Sequence, residues 1–327
     1  MDPISKINQY FTKNISNHNL MNIVSNKVGI LLLTLVMNVG ILAAQQAPQY
    51  TQYMYNTMVL NSGYTGTSGT LEATILHRSQ WVGLDGSPSN QSFSIHGKAG
   101  KRVGLGLSAI NDKLGASNNL QVNGNFAYEI PTGYDTNLSL GINAGLDVLN
   151  IDWSKGSYSD DMDPIFSENA KTVRPILGAG AFLYSKNWYL GLSTNNLFNS
   201  QLYDNDDEVV MDRKSQYYFM GGYVFDLSNT LKFKPTLLTK HVAGSPITVD
   251  ISGNFLFNEK LSLGAAYRYN DAVSALAGFH IIRELFVGYA YDYSLTDLGD
   301  YNNGSHEIIL KYNVFSAKKR ALSPRFF

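Results

Sequence analysis

The sequence predicts an all-β fold, an antiparallel transmembrane β-barrel of about 14 strands with an N-terminal non-strand segment packed in or under the barrel. Three observations predict it. Hydrophobicity alternates with period two over most of residues 70–315, as it does where successive side chains point to opposite faces of a strand. The alternating runs last about 9–11 residues, which spans a bilayer when tilted, against about 5–6 in a soluble sandwich. The connections alternate between short and longer, as periplasmic turns and outer loops do.

Composition bounds the alternatives. The chain has 327 residues, with Lys+Arg 25 against Asp+Glu 26, so no polybasic footprint marks a nucleic-acid partner. Charged residues are 16%, against roughly 25% in a soluble domain. Cys is 0, which excludes a disulfide framework, a thiolate metal site, a catalytic thiol and an N-terminal lipidated cysteine. Hydrophobic residues at 44% exclude disorder.

Residues 1–44 read as an N-terminal extension plus a signal peptide. Lys27 precedes the apolar run from Val28 to Ala44, which Asn38 interrupts and Leu42-Ala43-Ala44-Gln45 closes. One positive charge, a short apolar run and a small-residue end are the parts of a secretory signal. Met21 sits where such a peptide begins, so translation is expected to start there, with residues 1–20 a mis-called start. The other reading is a short translated extension. In both, cleavage falls near Ala44.

Residues 45–69 form the plug-like segment. It fits no long strand and carries Tyr50, Tyr53, Tyr55 and Tyr64 with Asn56 and Asn61. Tyrosine buries its ring while its hydroxyl finds a partner, which suits a polar lumen. The barrel is expected over 70–315, with a periplasmic C-terminal tail over 316–327.

Fourteen strand candidates follow, near residues 70–82, 90–98, 103–111, 119–130, 137–148, 172–184, 188–195, 215–225, 231–240, 247–257, 261–269, 272–280, 284–293 and 305–314. In the fifth, Leu138, Leu140, Ile142, Ala144, Leu146 and Val148 share one face, opposite Ser139, Gly141, Asn143, Gly145 and Asp147. Short turns fall at 99–101, 131–134, 185–187, 228–230 and 258–260, and long loops at 149–171, 196–214 and 294–304. Aromatic residues near strand ends, including Tyr217, Tyr223, Tyr289 and Tyr293, read as anchors at the lipid headgroups. On this facing an arginine at Ile251 meets lipid and costs roughly 2–4 kcal/mol, while one at Asn254 meets the lumen and costs less.

The lumen face then carries Glu72, Glu129, Asp147, Asp250, Asp292 and Glu307 against Arg78, Lys232, Lys234, Lys240, Arg268 and Lys311. A selective pore concentrates one sign. The balanced set reads as internal ion pairs, with Arg78, Glu129, Asp250, Arg268 and Asp292 the expected lumen network. Inward Gly104, Gly106, Gly264 and Gly288 leave space for a filler.

Nothing points to catalysis, a cofactor or a metal. The histidines form no HExxH pair, and no GxSxG elbow is present. Two acidic runs, Asp160-Asp161-Met162-Asp163 and Asp204-Asn205-Asp206-Asp207-Glu208, offer carboxylates that Ca2+ takes, but neither has EF-hand spacing. Solvated loop charge is the better reading.

The ordered set of short motifs resembles the PorP/SprF family of type IX secretion and gliding membrane proteins. It begins at Pro48-Gln49-Tyr50-Thr51-Gln52-Tyr53-Met54-Tyr55-Asn56 and continues through Arg78-Ser79-Gln80-Trp81-Val82-Gly83 and Asn111-Asp112-Lys113-Leu114-Gly115. Tyr189-Leu190-Gly191-Leu192-Ser193, Gly288-Tyr289-Ala290-Tyr291-Asp292-Tyr293 and Ser323-Pro324-Arg325-Phe326-Phe327 follow in order. Ser62-Gly63 and Thr67 depart from the family pattern. The resemblance implies a Gram-negative outer-membrane barrel that is not an enzyme. It also implies help with export or anchoring of a surface protein such as an adhesin, bound by its C-terminal secretion domain. Implied partners are that protein, periplasmic secretion-ring components and outer-membrane lipid. The alternative is a channel for small solutes of the fatty-acid-transporter type. Partner contacts are expected from Trp153, Tyr158 and Phe166 in one long loop and Phe198 and Tyr203 in another.

Overall fold

A computed structural model describes residues 49–155, 169–198, 200–203 and 209–314. The expected signal peptide, the C-terminal tail and both acidic runs lie outside the described residues. Among these, fourteen antiparallel strands close a barrel. They are β1 (Leu71–Ser79), β2 (Ser89–Lys98), β3 (Val103–Leu114), β4 (Ser117–Pro131) and β5 (Asn137–Ile151). Next come β6 (Ala170–Tyr184), β7 (Trp188–Thr194), β8 (Gln216–Tyr223, resuming at Phe225–Asp226), β9 (Leu231–Val242) and β10 (Thr248–Phe257). The ring ends with β11 (Leu261–Arg268), β12 (Ala272–Ile282), β13 (Leu285–Ser294) and β14 (Ser305–Val314). Each strand pairs with its sequence neighbours. The seam is β1 on β14, from Leu71 opposite Val314 to Ser79 opposite His306. Closure removes every edge that would leave backbone groups unpaired in lipid.

The alternation runs inside out relative to a soluble protein. On β5, Ile142 and Leu146 are 53% and 54% exposed on the outer face, while Asn143 and Asp147 are buried. The same holds on β10, where Ile251 faces out and Asp250, Ser252 and Asn254 face in. Near the short-turn end an aromatic row crosses three strands. Tyr223, Phe225, Phe233, Phe255 and Phe257 succeed one another at ring separations of 4.5, 6.4, 4.7 and 6.4 Å. Tyr217, Tyr267 and Tyr293 sit near the opposite end. The two groups mark the headgroup levels that bound the apolar belt.

The turn between β10 and β11 shows how local chemistry sets the register. Asn258 and Glu259 both take positive φ, 51° and 55°. The connection is three residues long, 258–260, with Phe257 paired to Leu261, and of the residues other than Gly, Asn tolerates positive φ best. On the long-loop side the connections are uneven. Gly115-Ala116 closes β3 on β4 directly, whereas the 195–215 connection carries its own hairpin, Ser200–Tyr203 paired with Val209–Arg213. Strands β4, β5 and β6 are each 15 residues long and β7 only 7, so one side of the outer rim stands taller.

The core of this barrel lies in its lumen. Every residue from Tyr50 to Ser68 is buried. The segment has two short 3-10 turns, Thr57–Val59 and Ser62–Tyr64. Its Tyr53, Met54, Tyr55, Met58, Leu60 and Tyr64 pack with wall residues Leu76, Phe182, Met220, Phe286 and Ile309 in one cluster. The wall is thinned where the backbone of this plug passes. A Cβ at Gly104 would overlap the Thr65 carbonyl, and one at Gly141 would overlap the Ser62–Gly63 peptide. Glycine is what allows this approach.

The filled lumen reverses one expectation. Asn254 is buried at 1% exposure and donates to Ser252 Oγ at 3.2 Å, so an arginine there has no open space to enter. Both substitutions are therefore expected to be costly. Ile251→Arg should lose roughly 2–4 kcal/mol of unfolding free energy near the bilayer midplane, measured by denaturant titration in lipid vesicles. Asn254→Arg should destabilise as well and also expose the plug to protease.

Candidate functional site: plugged lumen and outer rim

Among the described residues, clusters of charged side chains line the inward face, and the first two bond the plug directly. The first lies near the long-loop end of the seam. Arg78 Nη1 on β1 sits 2.6 Å from Asp292 Oδ2 on β13 and 3.4 Å from Glu307 Oε2 on β14. The plug inserts into this group. The Thr51 and Gln52 backbone N–H groups donate to the two Glu307 carboxylate oxygens at 2.9 and 2.7 Å. Thr51 Oγ1 donates to Asp292 at 2.7 Å and accepts from Arg78 at 3.0 Å. Buried charge is tolerable only when paired and hydrogen-bonded, and each member here is.

The second group lies toward the short-turn end. Glu72 Oε1 is 2.8 Å from Lys311 Nζ and 3.2 Å from His96 Nε2. His96 Nδ1 accepts the Gly66 N–H at 3.1 Å. That acceptor role leaves the ring proton on Nε2, where it donates to Glu72. Lys311 also donates to the Tyr55 carbonyl at 3.3 Å.

Neutral contacts join the plug to the rest of the ring. Tyr53 pairs its hydroxyl with Thr236 at 2.7 Å and Tyr55 with Ser262 at 3.1 Å. Asn56 bonds Ser92 and Ser94 on β2, at 3.0 and 2.9 Å. Ser193 and Asn195 donate to the Leu60 and Val59 carbonyls, at 2.6 and 2.7 Å.

The third group is Arg268 with Asp250 at 2.7 Å and Asp271 at 3.3 Å, near the long-loop end. Tyr53 lies beside it through Thr236 and Ser252. The fourth is Glu129, which sits apart at the short-turn rim, 3.0 Å from Lys98 and bonded to Tyr184. Of the five residues read as a lumen network, Arg78 and Asp292 are thus in one ion pair, Asp250 and Arg268 in another, and Glu129 in neither. Glu307, Glu72 and Lys311 were legible only as inward charges. His96 carried one usable signal, its even position on β2 beside Ser92 and Ser94.

At the outer mouth, Tyr50, Leu60, Gln121, Asn195, Gln216 and Tyr218 border a residual hollow of about 30 Å3, roughly one water's share of liquid volume. Above it, Trp153 opens a 3-10 turn and donates its backbone N–H to Asn169 Oδ1 at 3.0 Å. Phe198 is 57% exposed. Tyr158, Phe166 and the Tyr203 side chain lie outside the described residues. Among the described residues, no three His, Asp or Glu side chains gather to hold a metal ion.

A family model described as type IX secretion system membrane protein PorP/SprF matches residues 42–312. The chain belongs to the PorP/SprF family. A closed barrel with an apolar belt, in a PorP/SprF membrane protein of type IX secretion, resides in the outer membrane of a Gram-negative bacterium. No curated protein matches the chain. Among solved structures it is similar to the toluene transporter TbuX of Ralstonia pickettii, at 9% identity and TM-score 0.48, over 79% of this chain and 93% of that one. It is also similar to the CymD monoaromatic hydrocarbon channel, at 11% identity and TM-score 0.48, over 80% and 93%. Omp33 of Acinetobacter baumannii follows at 13% identity and TM-score 0.43, over 76% and 100%. At these identities and TM-scores nothing about ligand or cargo carries over to this PorP/SprF chain.

The Glu307 contact predicts a measurable dependence. Glu307→Ala leaves two buried plug amides without acceptors and removes one partner of Arg78. It should cost about 3–5 kcal/mol, read as a lower unfolding transition of the purified barrel. Glu307→Gln keeps an acceptor and should lose less.

Proposed function

We propose that this outer-membrane barrel of the type IX secretion machinery holds a secreted surface protein, such as an adhesin, by its C-terminal domain at the outer rim. The observation that carries the reading is the occupied lumen. The barrel holds its own chain from Tyr50 to Ser68 buried against the inward face of its wall, and that filling directs attention to the rim. Long connections on a rigid scaffold are where binding commonly sits. The two longest are 152–169 with Trp153, and 195–215 with Phe198 and the Ser200–Tyr203 hairpin, and the shorter 295–304 connection adds Tyr301. Exposed aromatic side chains are frequent interface anchors. The proposed role is recognition without catalysis. A solute channel would instead need the plug to leave, and planar-bilayer recordings of the intact protein should show no conductance.

Deleting residues 200–212 tests the partner reading. The hairpin pairs with itself and with no barrel strand, so the deleted protein should still assemble and keep its resistance to unfolding by heat. Surface retention of the cognate adhesin should be lost. Normal display by the deleted strain would move recognition away from this loop.

A further inference from the structure

Strand parity places the start of β1 and the end of β14 on the short-turn, periplasmic side. The plug does not begin there. Its last residue, Thr70, directly precedes Leu71 at the periplasmic end of β1. Its first described residues lie at the other end of the barrel. Thr51 and Gln52 bond Glu307, the third residue of β14 from the outer side, and Thr51 bonds Asp292, two residues before the outer end of β13. Tyr50 borders Gln216 and Tyr218, at the outer end of β8, and Gln121, near the outer end of β4.

Between these ends the lumen is occupied. Tyr53 reaches Thr236, and Tyr55 stacks on Phe286 at 4.8 Å. Asn61 bonds the Ala181 carbonyl at 3.1 Å, and Tyr64 meets Phe182 edge-on at 5.4 Å. Gln49 is half-buried, with its side-chain Oε1 enclosed, while the residues after it are fully buried.

We infer that the plug is threaded through the barrel from the outer mouth, so that its leading end at Gln49 opens on the extracellular face while β1 begins on the periplasmic face. Two consequences follow. A partner outside the cell can touch the plug directly, and a periplasmic one meets only its Gly69–Thr70 end. To reach this place the N-terminal segment is either enclosed as β1 meets β14 or passed end-first through the closed ring, because its two ends lie at opposite ends of the barrel. The inference goes beyond the partner reading and needs no adhesin.

The natural absence of cysteine makes the test clean, since Cys is 0 in the chain. Gln49→Cys is introduced into the full-length protein and probed on intact cells with a membrane-impermeant maleimide. Ala243→Cys, exposed in the β9–β10 connection on the long-loop side, and Asn229→Cys, exposed in the β8–β9 short turn, mark the two faces. Labelling of Q49C on intact cells to the level of A243C, with N229C silent until the outer membrane is permeabilised, is the expected result. Labelling of Q49C only after permeabilisation, in step with N229C, overturns the inference. Should neighbouring side chains shield the thiol, a short epitope inserted directly before Gln49 gives the second reading. Antibody binding to intact cells supports the threaded plug, and binding only after permeabilisation refutes it.

Discussion

In a hydrocarbon layer every backbone N–H and C=O must find its partner within the protein, and the rest of this structure depends on that constraint. It requires the seam between β1 and β14, since any open strand pair would leave a row of unpaired groups in lipid. It requires apolar side chains outward, and so, by the two-residue period, polar and small side chains inward. The interior then carries charges such as Arg78, Lys234 and Glu307, all nearly inaccessible to solvent. Such groups need partners, and the wall alone does not supply enough. The chain answers with its own N-terminal segment, whose backbone amides and tyrosine hydroxyls pair with the wall while its rings and methionines exclude water.

The plug and the seam depend on one another. Arg78 stands directly opposite Glu307 across β1 and β14, and Glu72 with Lys311 bridges the same two strands. The plug bonds to both bridges, through Thr51 and Gln52 at one end and through Tyr55 at the other. A carboxylate that accepts two successive amide hydrogens fixes a stretch of chain more tightly than a side-chain contact does, because it leaves the backbone little rotation. The sites that close the barrel are therefore the sites that seat the plug. With the plug seated, the two amide bonds of Thr51 and Gln52 satisfy Glu307 alongside its pairing with Arg78.

The strands were legible because their signal is local. Leu138 to Val148 reads as a two-faced strand from eleven consecutive letters, and the same holds around Ile251 and Leu263. The tyrosine-rich stretch stood out for the opposite reason, as a run without a period between a signal-like segment and the first strand. What joins plug to wall was not legible, because it is set by contacts far apart in sequence. Tyr53 meets Thr236 across 183 positions and Thr51 meets Glu307 across 256. No local feature marks Glu307 as an amide acceptor or His96 as the partner of Gly66. The expectation for Asn254 changes for the same reason. Its facing follows from alternation, whereas the packing around it depends on a plug whose path alternation does not reveal.

The uneven rim bears on where such a sealed barrel can act. The extra length of β5 and β6 lies at the outer end, because at the short-turn end Asn137 and Tyr184 pair level with one another. These strands carry Ile151 and Ala170 beyond the level at which β7 and β11, at 7 and 8 residues, end. A partner approaching from outside meets a tall wall on one side and the self-paired hairpin of the next long loop beside it. Most contacts between strands and plug lie below the loops, although Asn195 at the start of the 195–215 connection bonds the Val59 carbonyl and Leu197 bonds Leu177, so it is the hairpin beyond them that can vary without weakening the ladder. Binding sites often sit on segments supported by a scaffold but not needed for its stability. On this chain the hairpin of the 195–215 connection meets that description most fully, since among the described residues it forms its own two-stranded sheet and joins no ladder of the ring.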